Sequence, residues 1–263
     1  MSTTPRDNAS WHTFLGDKTN TILTSAPLAA VPLPGSFAGS IDHTLLSPSA
    51  TRAQIAALCS AAKTHGFASV CVNGSHAAAA TAALVGSGVK TCVVVGFPLG
   101  ACSAAAKAYE AAQAVKDGAT EVDSVLPIGL LKGADYVAVF DDVKAVVDAA
   151  TPWPVKIIIE TALLSEEEKV HACIIAAEAG AAFVKTCTGF SGGGATVEDV
   201  RLMRRAVEGY VWSGEGYEGA VRVKASGGVR DWEAARNMLE AGASRIGTSS
   251  GIAIMEGGRG EGY

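Results

Sequence analysis

The sequence predicts an α/β protein: a (β/α)8 TIM barrel in a single domain, behind an irregular N-terminal extension. Three observations carry this. Eight short runs rich in β-branched residues alternate with Ala-rich stretches whose apolar positions recur at the helical period. Landmarks near the strand ends, from Asp42 to Gly247, span 205 residues in seven steps, about 29 each, as repeated βα units require. An open dinucleotide-binding sheet would want G-x-G-x-x-G after its first strand, and here the first strand runs into HTLLSPSA. The closed barrel is therefore preferred to the doubly wound sheet.

Taken in order, the strand runs are SIDHTLL (40–46), ASVCVN (68–73), VKTCVVVGF (89–97), TEVDSVL (120–126), VKIIIET (155–161), AFVKTC (182–187), VRVKAS (221–226) and SRIGTS (244–249). They read as continuously apolar rather than alternating, which suits a parallel sheet covered on both faces. Helical stretches such as TRAQIAALCSAAKTHG and SAAAKAYEAAQAVKDG fill the intervals. Ser165 with Glu168, and Thr196 with Asp199, are helix start signals, while Gly66, Gly118, Gly180 and Gly242 are stop signals. The expected regions are 1–38, an irregular extension; 39–255, the barrel; and 256–263, a flexible tail. Residues 209–220 are a Gly-rich surface excursion. The tail EGGRGEGY carries four glycines and ends on Tyr263.

Composition narrows the function. Charged residues are 18%, apolar residues 49%, and mean hydropathy is +0.27, which excludes a disordered chain. A net charge of -5 leaves no basic excess for a nucleic-acid backbone, so nucleic acid is not an expected partner. The six cysteines show no C-x-x-C spacing and mostly sit in apolar runs, as buried thiols of a reducing cytosol do; neither a disulfide framework nor a zinc site is expected. The longest apolar stretches fall short of the ~18 residues a bilayer needs, so no membrane partner is expected. Residues 21–38 carry three prolines and no basic start, unlike a signal peptide. The expected address is the cytoplasm.

In a barrel the working residues stand at the C-terminal ends of strands. Those ends hold Asp42, Asn73, Gly96, Asp123, Glu160, Lys185, Lys224 and Gly247. A single lysine is usually a solvated surface charge. Two lysines embedded in strand runs at the working end reverse that expectation, because a buried lysine is costly unless paired or functional. Ammonium groups ~6 Å apart at an effective dielectric of ~20 repel by about 3 kcal/mol. That moves one amine well below the ordinary lysine range before burial is counted. A neutral amine in an apolar pocket attacks carbonyls, so the pair describes a Schiff-base site. Asp123 is either the proton-transfer group of that chemistry or merely a salt-bridge partner of a lysine. Glu160 and Asp42 could equally fix a lysine or cap a loop. Small-residue loops follow the last three strands: TCTGFSGGGAT, ASGGVR and IGTSSG. With Ser249 and Ser250 opening a short helix, they make a phosphate site expected. His43 shows no metal or triad spacing. Cys71 is a pocket residue or a small core residue, and Cys187 and Thr188 shape the imine pocket.

The motifs IDHTLL, SVCVN, VVVGFPLG, EVDSVLPIG, IIIETALL, FVKTCTGF, VKASGGVRD and RIGTSSG, in this order over residues 40–255, closely resemble the deoxyribose-phosphate aldolase family. The resemblance implies a class I aldolase without metal or cofactor, reversibly cleaving 2-deoxy-D-ribose 5-phosphate to D-glyceraldehyde 3-phosphate and acetaldehyde. It implies that Lys185 forms the imine, Lys224 lowers its pKa, Asp123 relays protons with a water, and Tyr263 helps protonate the enamine. Asp42, Thr44 and Cys71 are the implied pocket positions, beside the substrate-binding Thr188 read above. Gly189, Gly227, Gly228, Arg230, Gly247, Ser249 and Ser250 are the implied phosphate contacts. The expected partner is a small sugar phosphate, with a homodimer left open. Pro127 and Cys187 stand where some members carry Asn and Ser, and the 209–220 excursion and the lead-in fall outside the family pattern. Two other readings remain: a Schiff-base aldolase for another sugar phosphate, and a barrel that only binds one.

Overall fold

The computed structural model describes residues 4–26, 28–215 and 217–261. The chain opens on a helix, α1 (Asn8–Thr24), where an irregular extension was expected. Asp7 caps it, accepting from the Ser10 N–H while the Ser10 side chain returns to the Asp7 N–H. Its apolar stripe is narrow. Trp11, Leu15 and Thr19, spaced by four, are the buried positions among otherwise polar residues, so the helical period is faint in the sequence.

The remaining elements alternate. They run β1 (Ile41–Leu45), α2 (Arg52–His65), β2 (Ser69–Val72), α3 (Ala77–Leu84), β3 (Lys90–Val95), α4 (Ala104–Lys116) and β4 (Glu121–Val125). A short α5 (Ile128–Lys132) and α6 (Tyr136–Ala150) precede β5 (Val155–Ile158), then come α7 (Glu166–Glu178), β6 (Phe183–Lys185) and α8 (Val197–Ala206). The chain ends with β7 (Val211–Gly214), β8 (Tyr217–Ala220), β9 (Arg222–Ser226), α9 (Trp232–Ala241), β10 (Ala243–Thr248) and α10 (Gly251–Met255). Helix α1 packs across α6, α7 and α8, with the Trp11 and Phe140 rings 5.7 Å apart.

Eight strands close in the order β1-β10-β9-β6-β5-β4-β3-β2, every pair parallel. The start signals are used as read: Ser165 accepts from the Glu168 N–H, and Thr196 from the Asp199 N–H. The 209–220 excursion is an antiparallel hairpin, β7 with β8. Its Trp212 and Tyr217 rings stack, and Arg222 lies over Tyr217 at 3.4 Å.

One expectation about the strands fails. Most of their positions are buried, yet β4 and β9 alternate apolar with charged or small residues, and a single charge interrupts each of β5, β6 and β10. The main apolar core contains Val70, Val93, Val122, Ile157, Val184, Val223 and Ile246 together with the helix faces. Alternate positions, including Asp42, Glu121, Asp123, Lys156, Lys185, Lys224 and Arg245, meet one another across strands that are not neighbours, which only the barrel lumen allows. The greasy layer thus lies between sheet and helices, and the lumen is ionic.

The tail expected to be flexible is tied down near its end. Arg259 forms an ion pair with Asp231 at 3.1 Å, and the Gly260 N–H donates to the Arg230 carbonyl at 2.9 Å. Tyr263 lies outside the described residues.

Candidate active site

Parallel register sets the centre. Asp123 pairs with Lys156 across β4 and β5, Lys185 with Lys224 across β6 and β9, and Lys224 with Arg245 across β9 and β10. Lys185 Nζ and Lys224 Nζ each lie 2.8 Å from the same oxygen, Asp123 Oδ2, so the two amines are within the ~6 Å considered above. Asp123 Oδ1 takes Lys156 at 2.8 Å and the Cys92 thiol at 3.0 Å. Lys156 is also 2.6 Å from Glu121, and Lys224 is 2.5 Å from Asp42. Arg245 closes the network on Asp42 at 2.5 Å and Glu121 at 2.9 Å.

Burial would raise the Asp123 carboxyl, but Lys156, Lys185 and Lys224 hold it well below the usual carboxylate range. Burial likewise works to raise Asp42, and Arg245, Lys224 and Lys156 outweigh it. For Lys224 burial acts downward, and Asp123 and Asp42 hold it above the ordinary lysine range. Asp123, Glu121 and Asp42 push Lys156 the same way against burial, helped by Cys92. This corrects the picture of two bare cations in an apolar pocket: the amines are close, but carboxylates surround them. Lys156 and Lys224 each contact two carboxylates, whereas Lys185 contacts one oxygen that it shares. Among the buried groups, Lys156, Lys185, Lys224 and Arg245 face three carboxylates, Asp42, Glu121 and Asp123, so full ionisation of these seven leaves one positive charge in excess, while the partly exposed Lys90 pairs with Glu121 from outside at 3.5 Å.

A cavity opens above this network, lined by Thr44, Lys185, Thr188, Gly189, Gly227, Gly228, Arg230, Gly247 and Ser249 among the expected residues. Leu46, Phe190, Ser226, Val229 and Thr248 line it as well and were not foreseen. Two glycines are sterically required. A Cβ on Gly247 would stand 2.9 Å from Lys224 Cε, and one on Gly227, at φ +92, would stand 3.1 Å from Cys187 Cβ. Glu160 adopts φ 55 and takes the Thr188 hydroxyl at 2.5 Å and its N–H at 3.2 Å, which fixes the loop after β6. Its part is to hold that loop, one of the two roles left open for it.

Other expected residues stand off the cavity. Ser250 is buried, its N–H donating to the Thr248 hydroxyl, because the turn into α10 rotates it inward. Asp42 is fully buried beneath the cavity, where it pairs with Lys224 and Arg245. Cys71 is buried with Cys92, Val94 and Leu46. His43 packs on Phe67 on the helix side of β1, and burial pushes its imidazole down to about 4. Lys156, Glu121 and Arg245 escaped the reading by strand ends because they sit lower in the lumen. Lys156 nonetheless interrupts the apolar run VKIII, the same signal that marked Lys185, whereas Glu121 and Arg245 stand beside polar or small residues and carry no such signal.

A family model described as DeoC/LacD family aldolase matches residues 38–257. A deoxyribose-phosphate aldolase of Bdellovibrio bacteriovorus is 53% identical over 218 residues, 83% of this chain and 94% of that protein. One from Carboxydothermus hydrogenoformans is 55% identical over 221 residues, 82% of this chain and 92% of that protein. Among solved structures, one from Coccidioides immitis, provisionally described as a deoxyribose-phosphate aldolase, superposes with a TM-score of 0.88 at 39% identity, covering 97% of this chain and 98% of its own. A tetrameric deoxyribose phosphate aldolase of Aeropyrum pernix superposes at 0.76 with 30% identity, covering 92% of this chain and 95% of its own.

Proposed function

This chain belongs to the DeoC/LacD aldolase family, and from that premise we propose that it is a class I aldolase reversibly cleaving 2-deoxy-D-ribose 5-phosphate to D-glyceraldehyde 3-phosphate and acetaldehyde. The observation that carries the reading is the pair of amines sharing Asp123 Oδ2 beneath the cavity. Lys185 is the nucleophile in this reading. It lines the cavity, and of the three lysines it gives up the fewest ion pairs when it is the free base. Releasing its proton also removes the excess positive charge of the network.

The free amine attacks the C1 aldehyde, and the carbinolamine takes up a proton and loses water to give an iminium. A proton then leaves the C3 hydroxyl, the C2–C3 bond breaks, and its electrons flow to the iminium nitrogen. Protonation of the resulting enamine at C2, followed by hydrolysis, releases acetaldehyde and restores Lys185. Asp123, between Lys185 and Lys224, is placed to move these protons, with a water as relay. Lys224, held cationic by Asp42 and Asp123, keeps positive charge beside the reacting nitrogen. Arg230, Ser249 and the glycines at 189, 227 and 228 line the cavity wall assigned to the phosphate, whose binding orients C1 toward Lys185. Tyr263 is assigned enamine protonation by the family resemblance. The reaction belongs in the cytoplasm, where sugar phosphates are found.

Borohydride reduction in the presence of deoxyribose 5-phosphate should add the two-carbon fragment to a peptide containing Lys185. Label found only on Lys224 refutes the assignment. Turnover with dihydroxyacetone phosphate instead of acetaldehyde as donor would move the activity to another aldolase of this kind.

A further inference from the structure

Under the cavity floor, β2 and β3 carry a cysteine at the same level: Cys71 and Cys92 are register partners. Asp123 on β4 completes a cluster with them, its carboxylate oxygen and both sulfurs lying within 4.8 Å of one another. Among the described residues this is the one group of three histidine, cysteine or acidic side chains with ligand atoms so close. All three residues are fully buried. Leu46, a cavity residue, belongs to the same buried cluster as the two cysteines and Val94.

We propose that Cys71, Cys92 and Asp123 form an inhibitory site for a soft divalent cation of the Zn2+ or Cd2+ type, distinct in function from the imine chemistry although it shares Asp123. Two thiolates and one carboxylate oxygen are the donor set that such ions select, leaving a fourth position open. The Cys92 thiol now bridges to Asp123 Oδ1 at 3.0 Å, and the cation takes the place of that proton. Two sulfur–metal bonds and one oxygen–metal bond form, two S–H bonds break, and both protons leave to solvent. No electron is transferred. The net charge of the lumen is unchanged, since two positive charges enter and two leave, but Lys156, which also donates to Cys92 Sγ at 3.4 Å, must give way. Metal on Oδ1 competes with Lys156, now 2.8 Å from that oxygen, and reduces the ability of Asp123 to accept protons. The loss of activity rests on the role given to Asp123 above; binding itself does not.

The test titrates CdCl2 into protein carrying Cys102→Ser, which removes the exposed thiol, in buffer free of chelators and thiols. Thiolate-to-cadmium absorption and the rate of deoxyribose 5-phosphate cleavage are followed together. Absorption should saturate at one ion per chain, the rate should fall in parallel, and EDTA should reverse both, while MgCl2 does neither. Cys71→Ala and Cys92→Ala should each weaken the absorption titration by at least the ~10–100-fold that changes around metal ligands cost. Cys92→Ser, closer in size, serves if an alanine variant does not fold. Absent stoichiometric absorption in the Cys102→Ser protein, or absorption insensitive to the Cys71 and Cys92 changes, overturns the site. Binding without loss of rate overturns the inhibition. Failure of the metal-free protein to cleave the substrate bears on the aldolase reading alone.

Discussion

Asp123 receives three ammonium groups on two oxygens, and the division of those contacts makes one lysine chemically different from the others. Lys185 and Asp123 were legible because charge interrupts an apolar run near a strand end. Lys156 carries the same mark in VKIIIE, but it stands low on β5, where the strand-end rule does not look. His43 allows a test of burial independent of catalysis. Folded, its imidazole titrates at about 4; unfolded it titrates near the ordinary ~6.5. Below the unfolded value the unfolded chain binds a proton that the folded chain refuses, so stability falls as pH drops from about 6.5 toward 4. At pH 5 the loss relative to pH 7 should be about 2 kcal/mol from this residue. His43→Gln should flatten that part of the pH dependence in urea titrations at pH 7 and 5. Equal slopes for variant and parent remove the assignment.

Helix α1 and the β7–β8 hairpin show why some elements are hard to read. A strand or helix of the barrel repeats its pattern beside seven like it, whereas α1 occurs once and shows only a four-residue spacing of Trp11, Leu15 and Thr19. Its apolar contacts come from α6, α7 and α8, which are distant in sequence. Trp11 is fully buried, so Trp11→Ala should cost about 3–5 kcal/mol by chemical denaturation. A change below 1 kcal/mol would mean that α1 adds little to the folded state. The cleavage rate well below the unfolding transition should persist, since α1 lies against the outer helices and contributes no residue to the cavity.

The whole barrel is built inside out relative to an oily core: aliphatic residues between sheet and helices, ion pairs in the lumen. Its response to pH follows. Asp42, Glu121 and Asp123 are all depressed despite burial, so the stability they contribute is complete above the unfolded carboxylate range near ~4 and is lost as pH falls through their folded values. Lys156, Lys224 and Arg245 are raised, and their contribution is complete below the unfolded lysine and arginine ranges and lost only as pH rises from there through their folded values. Removing one partner leaves buried charge uncompensated. Lys156→Met should therefore cost about 3–5 kcal/mol near neutrality and move acid unfolding to higher pH, as read from urea midpoints between pH 4 and 8. An acid limb that stays in place would mean that the network does not act as a unit.

Order along the chain sufficed for the barrel, for the small-residue loops that line its cavity and for three members of the ionic network, because βα units repeat at a fixed length and buried charge stands out against aliphatic neighbours. Closure of the sheet decided the rest. It turned alternate strand positions into one lumen, brought Asp42, Glu121, Lys156 and Arg245 onto the same network as Asp123, turned Ser250 away from the cavity, and set Cys71 against Cys92. Those outcomes depend on register and stagger between strands some 20 to 200 residues apart, and a Coulomb interaction depends on distance in space rather than along the chain.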